Sequence, residues 1–378
     1  MTVPIQGFCD PRFEPVKKAF ENNFLAHNEI GASVAITLRG EFVVDLWGGH
    51  LDAERTQSWQ EDTLVNVWSS TKTMAAMSLL LLADRGEVDL HAPAEKYWPE
   101  FAQNGKKDVE VRYFLSHTSG LSGMEEAVVG DALYDWEWMT SALARQKPWW
   151  EPGTQSGYHA LTQGHLIGEI VRRVTGQSIG NFFRQEIAEV VGSDFHIGAG
   201  EALDERISNL IPAPLINSAP SDSIAGRTFA NPPVEASLPQ KRQWRAAEIP
   251  AANGQGNARS IVRAQTAMAN GGVAFGKTLM SEAGTRRIFE QQSKGRDLVL
   301  GVPIVFGMGY GLNSDKVPIS PNKNTCYWGG WGGSSVVIDQ DEGLCFSYVM
   351  NRMESGLLGD PRGAGLAAAM YASQIRGQ

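Results

Sequence analysis

The segment VWSSTKTMAAMSLLLLADRG, residues 67–86, joins a serine-lysine pair to a long apolar run. The run from 69 to 86 predicts a buried helix, and Gly86 is a common C-terminal signal. Ser69 and Lys72 are three residues apart, so on a helix they lie on one face, one turn apart. A serine at a helix N-terminus feels the positive end of the dipole, which favours a developing oxyanion. A desolvated lysine in the next turn could accept the serine proton.

The S-x-x-K spacing alone leaves two interpretations of Ser69 open, a catalytic nucleophile or a helix cap with an incidental lysine. The same spacing recurs at 320–323, in a polar, loop-like context with no helix behind it. At Ser69 the context suits catalysis better, because the strand-like LVNVW (64–68) precedes it and an apolar helix follows.

A second serine motif, GQSIG at 176–180, has the G-x-S-x-G pattern of a nucleophile elbow. Such an elbow needs a strand before Ser178 and an acid and a histidine after it. The preceding residues have helical periodicity, and the last of the seven histidines is His196. We therefore expect Gly176 to end one helix and Ser178 to cap the next.

Composition and charge exclude several classes of partner. The 378 residues are 42% hydrophobic and 20% charged, with 33 basic and 42 acidic residues and a net charge of −9. Without a basic run, neither nucleic acid nor an anionic membrane is an expected partner. The first residues lack a secretory-signal layout, and no apolar run reaches transmembrane length.

The three cysteines, Cys9, Cys326 and Cys345, lack metal-site spacing. An odd number of cysteines fits free thiols in a reducing, cytoplasmic setting. Cys326 and Cys345 could face each other on neighbouring strands, but small buried hydrophobes is the favoured interpretation. We expect no metal and no cofactor.

The order of predicted elements indicates an α+β fold with an antiparallel sheet flanked by helices. Residues 11–28 have helical spacing, and 33–49 form a hairpin around Arg39-Gly40. Strand patterns return at 332–353, and a final helix is predicted at 363–376. The sheet is therefore built from both chain ends.

The middle of the chain reads as a separate, mostly helical insert. We expect a discontinuous sheet domain over 1–103 and 251–378, with an insert over 104–250. Within the insert, 205–250 looks like a long irregular excursion of the kind that often lines a site.

Several motifs, in this order, resemble the penicillin-recognising serine hydrolases. They are SSTK (69–72), LLADRGEVDLHAP (81–93), FLSHTSGL (114–121), PGTQSGYHALTQGHLIGEIVRRVTG (152–176), NGQGNARSIVRAQTAMANGG (253–272) and WGGWGGSSVVIDQDEGLCFSYVMNRM (328–353). The likeness is greatest to class C β-lactamases and family VIII carboxylesterases. It implies a β-lactamase/transpeptidase-like fold.

The resemblance also implies catalytic roles for individual residues. Ser69 matches the acylated nucleophile, and Lys72 the lysine that holds or takes its proton. Tyr158 matches the second-motif tyrosine, which acts with the lysine as base for acylation and as proton donor to the leaving group. The third motif matches Trp328-Gly329-Gly330, a substrate-binding strand. The backbone N–H of Trp331, with that of Ser69, would form the oxyanion hole.

Two departures from the family pattern bear on substrate. β-Lactamases and DD-peptidases begin the third motif with lysine or histidine, whereas this chain has Trp328. The second motif often reads Tyr-x-Asn but here ends at Ala160. Both changes remove polar groups that would recognise a β-lactam or a peptidoglycan stem. A small-molecule ester with an uncharged acyl group is therefore the expected substrate. Four tryptophans, at 136, 138, 149 and 150, could wall an apolar pocket or pack the insert's own core.

The resemblance therefore predicts a serine carboxylesterase with a possible β-lactamase side activity. An acyltransferase or an amide or β-lactam hydrolase on the same residues is the enzymatic alternative. A penicillin-binding-like receptor that acylates without turnover is the non-enzymatic one. The oligomeric state, monomer or homodimer, stays open.

Overall fold

A nine-stranded antiparallel sheet forms the centre of the fold, in a computed structural model that describes residues 4–213 and 219–373. The sheet has the order β1-β3-β2-β14-β13-β12-β11-β10-β9, while β5-β4-β6 and β7-β8 form two small sheets. The strands are β1 Ile5–Cys9, β2 Gly31–Leu38, β3 Glu41–Gly49, β4 Leu64–Asn66, β5 Ile207–Ser208, β6 Gln255–Gly256, β7 Val273–Ala274, β8 Lys277–Thr278, β9 Ser293–Arg296, β10 Pro303–Phe306, β11 Gly311–Leu312, β12 Thr325–Gly329, β13 Ser335–Asp339 and β14 Leu344–Met350.

Helices cover the sheet and fill the middle of the chain. They are α1 Glu14–Ala26, α2 Thr71–Asp84, α3 Arg112–Leu115, α4 Trp136–Arg145, α5 Thr162–Thr175, α6 Ile179–Phe183, α7 Glu189–Val191, α8 Ile224–Ala230, α9 Arg242–Ala246, α10 Ala258–Ala269, α11 Glu282–Arg286 and α12 Pro361–Tyr371. A 3₁₀ turn, Trp68–Ser70, leads directly into α2. Within the described residues, no helix has the length and apolar character needed to cross a bilayer.

The two faces of the sheet carry different helices. Thr37 of β2 hydrogen-bonds Thr266 of α10 at 2.8 Å, so α10 covers that face. Tyr348 of β14 instead contacts Glu29, which pairs with Arg362 of α12. Cys345, the cross-strand partner of Thr37, is three residues from Tyr348, and alternation places the two on opposite faces. The sheet is therefore a middle layer between α10 and the α1–α12 pair.

Helix α2 is the apolar helix predicted from 69–86, and every residue from Thr71 to Ala83 is buried. A helix that is apolar all round needs neighbours on every side, and α2 packs against α5, α6, α10 and α11. The turn after β10 comes so close that a Cβ on Gly309, at a φ of +88°, would lie 2.4 Å from the Cβ of Ala76. The helix is thus fixed in the core rather than lying on the surface.

The predicted fold class is confirmed. Strands from both ends of the described chain form the sheet, including the hairpin around Arg39-Gly40, and residues 104–250 are mostly helix and loop. The division into two domains stays a prediction. Residues 214–218 of the predicted excursion, and residues 374–376 of the predicted final helix, lie outside the described residues.

Cys326 and Cys345 do not lie on neighbouring strands. The interpretation in which they face each other across adjacent strands is therefore wrong. Cys326 is on β12 and Cys345 on β14, and both are paired with Ile338 of the strand between them. All three cysteines are free, and these two are buried.

Shortening one leucine of α2 tests how much stability this helix provides. We expect Leu80→Ala to lower the free energy of unfolding by about 2–5 kcal/mol, because it leaves a cavity at a fully buried position. Leu25→Ala is the matched control, since Leu25 is 66% exposed, and a change below about 0.5 kcal/mol is expected. Urea denaturation measures both, and equal effects would contradict this account of the core.

Candidate active site

Ser69 stands at the junction between β4 and α2, in the 3₁₀ turn that opens the helix. The preceding residue, Trp68, has a φ of +46°, a strained conformation for a bulky side chain. Ser69 is half-buried, whereas Ser70 is buried and hydrogen-bonds Ser334 at 2.9 Å. The turn thus leaves Ser69 as the accessible hydroxyl of the pair.

Lys72 lies one helical turn below Ser69, and its Nζ atom is 3.1 Å from the Ser69 Oγ. Nζ also donates to the carbonyl oxygens of Ala160, at 2.8 Å, and Ala251, at 2.9 Å. Lys72 is only 1% exposed, and no carboxylate of the described residues pairs with it. Burial therefore lowers the pKa of Lys72 well below its usual value.

These contacts define what the lysine can do chemically. A neutral amine has two N–H groups and one lone pair, while an ammonium has three N–H groups. Two carbonyls take two N–H groups, so the third direction of Nζ faces the Ser69 Oγ. In its neutral form, Lys72 presents a lone pair to the serine hydroxyl.

The Tyr158 hydroxyl lies on the other side of Ser69 and hydrogen-bonds its Oγ. Burial raises the pKa of Tyr158 well above its usual value, and this outweighs the hydrogen bond with Ser69, which acts in the opposite direction. The Lys72 Nζ lies 4.7 Å from the centre of the tyrosine ring. The structure therefore gathers the three predicted side chains around one oxygen, with Tyr158 as a neutral phenol.

Asp297 fixes the backbone of Tyr158, and sequence analysis missed it. Its Oδ1 accepts the N–H groups of Tyr158 at 3.0 Å, Val299 at 2.9 Å and Leu300 at 2.9 Å. A buried carboxylate that collects three backbone donors holds two distant chain segments together. Nothing in the sequence around Asp297 signals this contact.

The third motif, Trp328-Gly329-Gly330, approaches Ser69 closely because its glycines have no side chains. A Cβ on Gly330 would lie 2.3 Å from the Val67 carbonyl oxygen and 3.2 Å from the Ser69 nitrogen. Within the described residues, neither the Ser69 N–H nor the Trp331 N–H has a hydrogen-bond acceptor. The two free donors thus belong to segments that meet at the Gly330–Ser69 contact, which is compatible with the oxyanion hole predicted from the sequence.

Trp328 belongs to an aromatic cluster beside Tyr158. Its ring centre lies 5.7 Å from that of Tyr158, 5.4 Å from Phe306 and 5.8 Å from His117. Burial holds the pKa of His117 well below its usual value, and it lowers that of His159 to about 3. Both histidines are therefore uncharged, and this wall of the site carries no positive charge.

A cavity of about 680 Å³ lies beside the cluster. Its apolar lining includes Ala225 and Phe229 of α8, Val299, Leu300 and Leu357. Ala225 and Val299 also pack with Tyr158 and Trp328, which places the cavity next to the candidate site. The predicted 205–250 excursion thus supplies one wall, whereas none of the four insert tryptophans lines the cavity.

Across residues 4–213 and 219–373, no group of three or more histidine, cysteine, aspartate or glutamate side chains could hold a metal ion.

Comparison with known proteins assigns the family. The Beta-lactamase family model matches residues 17–369. The chain belongs to this family. It is 35% identical to the "Esterase/beta-lactamase LipL" of Mycobacterium tuberculosis, over 93% of this chain and 84% of that protein.

Two solved structures match this chain over nearly its whole length. A family VIII carboxylesterase has a TM-score of 0.92 and 41% identity, covering 98% of this chain and 99% of the other. A penicillin-binding protein homologue from Caulobacter crescentus has a TM-score of 0.91 and 36% identity, with the same coverage. The resemblance noted from the sequence is therefore confirmed for the Beta-lactamase family.

Ser178 is a helix cap, as predicted. Gly176 ends α5 with a φ of +73°, and the Ser178 Oγ accepts the Asn181 N–H at 3.3 Å. The same hydroxyl donates to Glu248 at 2.6 Å. The Ser178 hydroxyl therefore caps α6 and pairs with a carboxylate, and no histidine or lysine of the described residues hydrogen-bonds it.

Covalent labelling tests which serine is reactive. We expect a fluorophosphonate to label the peptide that holds Ser69, because only an activated hydroxyl displaces its fluoride at a useful rate. Mass spectrometry of the digest locates the adduct. Ser178→Ala should label as the unaltered protein does, Ser69→Ala should not label, and an adduct on Ser178 would contradict the assignment.

Proposed function

We propose that the protein is a serine carboxylesterase that hydrolyses esters of small or medium uncharged acyl groups through an acyl-enzyme on Ser69. The observation that carries the proposal is the placement of the Ser69 Oγ between the Lys72 Nζ and the Tyr158 hydroxyl. The 41% identical carboxylesterase structure and the relative named esterase/beta-lactamase support this chemistry.

In the acylation step, Lys72 is the base. Ser69 gives its proton to the lone pair of Nζ while Oγ bonds to the ester carbonyl carbon, and the carbonyl oxygen becomes an oxyanion. The N–H groups of Ser69 and Trp331 stabilise that charge. When the tetrahedral intermediate collapses, the ester C–O bond breaks, and the alkoxide takes a proton from Tyr158, which recovers one from Lys72.

Deacylation runs the same proton transfers with water in place of the alcohol. As the water oxygen attacks the acyl carbon, Tyr158 takes a proton from water and passes its own phenolic proton to Lys72. The bond to the Ser69 Oγ then breaks, the oxygen regains its proton, and the carboxylic acid leaves. Both halves begin and end with an uncharged Lys72, so the enzyme is regenerated.

The surroundings favour an uncharged, apolar acyl group. Trp328 replaces a cation with an indole ring, and the neutral His117 beside it adds no charge. The adjoining cavity is bounded by Val299, Leu300 and Phe229, and also by the polar side chains of Gln155 and Arg296. The apolar part of this wall suits an aliphatic or aromatic acyl chain.

The alternatives differ in what receives the acyl group. An added alcohol or amine would reveal an acyltransferase through a transfer product, and a persistent adduct without turnover would indicate a receptor. β-Lactam hydrolysis is the side activity that the name of the Mycobacterium tuberculosis relative suggests. We place it below ester hydrolysis because Trp328 offers no charge to a substrate carboxylate.

A small-molecule ester is the proposed partner of this site. The cytoplasmic location remains a prediction from the sequence, which makes no choice between monomer and homodimer.

Removing the nucleophile tests the proposed reaction. We expect Ser69→Ala to lower kcat/KM for p-nitrophenyl butyrate by more than about 10⁴-fold, because little catalysis survives loss of the attacking atom. Initial rates of p-nitrophenol release measure this. Ser178→Ala should keep the activity of the unaltered enzyme, and an active Ser69→Ala variant would refute the proposal.

The pH dependence tests Lys72 as the base. Its lowered pKa means that the neutral form is present well below pH 10.5, so kcat/KM should rise with pH and level off well below 10.5. Lys72→Arg should be inactive across the range, because a guanidinium cannot be deprotonated in proteins. A rising limb near 10.5, or an active Lys72→Arg enzyme, would contradict this role.

Filling the cavity tests where the acyl chain binds. We expect Ala225→Trp to lower kcat/KM for p-nitrophenyl octanoate relative to the acetate by about 10-fold or more, since lost methylene contacts cost about 1–3 kcal/mol. Ala53→Trp, at an exposed turn, is the matched control. An unchanged octanoate-to-acetate ratio in Ala225→Trp would place the chain elsewhere.

A further inference from the structure

The turn that follows β12 rests on a buried arginine of the last helix. Arg362 of α12 is 2% exposed, and its Nη2 donates to the Gly332 carbonyl oxygen at 3.1 Å and to the Arg352 carbonyl oxygen at 2.9 Å. The Arg362 Nε donates to Asp360 at 2.9 Å. The residue thus joins the chain end to the segment directly after Trp331.

Two further buried groups hold the guanidinium in place. The Arg362 Nη1 donates to Glu29 at 2.8 Å, and the Tyr348 hydroxyl donates to the other oxygen of Glu29. Burying such an ion pair costs desolvation, and apolar residues of similar volume can often replace one without loss of stability. What apolar residues cannot supply is a set of donors fixed in a plane and aimed at a carbonyl.

Two glycines connect the Arg362 contact at the Gly332 carbonyl to the peptide that carries the Trp331 N–H. Gly332 has a φ of +99° and Gly333 a φ of +133°, and the Gly333 N–H donates to the Gly330 carbonyl oxygen at 3.2 Å. That carbonyl and the Trp331 N–H belong to one planar peptide unit. Because the unit is planar, fixing the direction of the carbonyl fixes the direction of the N–H.

The ion pair between Arg362 and Asp360 is in direct contact with this turn. A Cβ on Gly333 would lie 2.3 Å from the Asp360 Oδ2 and 3.1 Å from the Arg362 Nη2. The Gly332 carbonyl, held by Arg362, also accepts the Glu354 N–H at 2.9 Å. The turn therefore cannot shift without disturbing the buried charges.

We infer that Arg362 is a positioning residue that acts through the Gly332–Gly333 turn to aim the Trp331 N–H at the substrate oxyanion. The inference rests on the proposed function, since it requires a reaction in which an acyl oxygen becomes charged. It assigns a role in the chemistry to a residue of the C-terminal helix, on the side of the sheet where Glu29 and Tyr348 are buried.

Comparing an ester with the matching thionoester tests the inference. The sulfur of a thionoester is large and accepts hydrogen bonds weakly, so its reaction gains little from an oxyanion hole. We expect Arg362→Lys to lower the acylation rate for the ester by about 10-fold, a fraction of the loss when an oxyanion donor is removed. The thionoester rate per active site should stay nearly constant, and KM should not change.

The ratio of the two rates separates positioning from general damage. A variant that is merely less stable loses active enzyme for both substrates, so its ester-to-thionoester ratio stays that of the unaltered enzyme. Arg259→Lys is the matched control, because Arg259 pairs with Asp45 at 2.6 Å between α10 and β3. Its ratio should be unchanged.

A second variant covers the case in which Arg362→Lys does not fold. Glu29→Gln keeps the shape and an acceptor for Arg362 but removes the charge, and its ratio should fall in the same direction by a smaller factor. If either variant folds and its ester-to-thionoester ratio is unchanged, the inference is overturned. Retained activity in Ser69→Ala would instead overturn the proposed function, so the two failures are distinguishable.

Discussion

A lysine buried without a counter-charge is the constraint around which this molecule is organised. Lys72 sits inside the core on a helix with no polar face, and the carbonyl oxygens of Ala160 and Ala251 are its fixed hydrogen-bond acceptors. Leaving such a group unpaired in a protein interior would be costly. The segment before α5 and the segment before α10 must therefore converge on α2, and this convergence brings Tyr158 to Ser69.

The site is assembled from three parts of the chain, each held by backbone groups more than by side chains. Helix α2 presents Ser69 and Lys72, the segment before α5 presents Tyr158, and the end of β12 presents the Trp331 N–H. Asp297 fastens the Tyr158 backbone, and the Ser70–Ser334 hydrogen bond fastens the β12 turn to the start of α2. Rigid attachment of this kind fits an active site in which donors must be aimed before charge develops.

Local patterns in the sequence predicted the elements but not the long-range contacts. The apolar run after Ser69, the Arg39-Gly40 hairpin and the cap at Ser178 follow from periodicity and turn chemistry, which act over a few residues. The carbonyls of Ala160 and Ala251 leave no trace in the sequence, because every residue has a carbonyl. Asp297 and Arg362 are ordinary charged residues until the fold buries them against partners 139 and 30 positions away.

In the proposed mechanism, the two shifted pKa values together favour Lys72 as the group that takes the serine proton. Burial lowers the pKa of Lys72 and raises that of Tyr158, and both shifts disfavour the charged form. A phenolate paired with an ammonium would need both groups charged, so burial disfavours that pair. His117 and His159 are neutral for the same reason. In the proposed reaction, negative charge develops on the substrate oxygen while Lys72 becomes protonated, and the free N–H groups of Ser69 and Trp331 would stabilise that oxyanion in a medium of low dielectric constant.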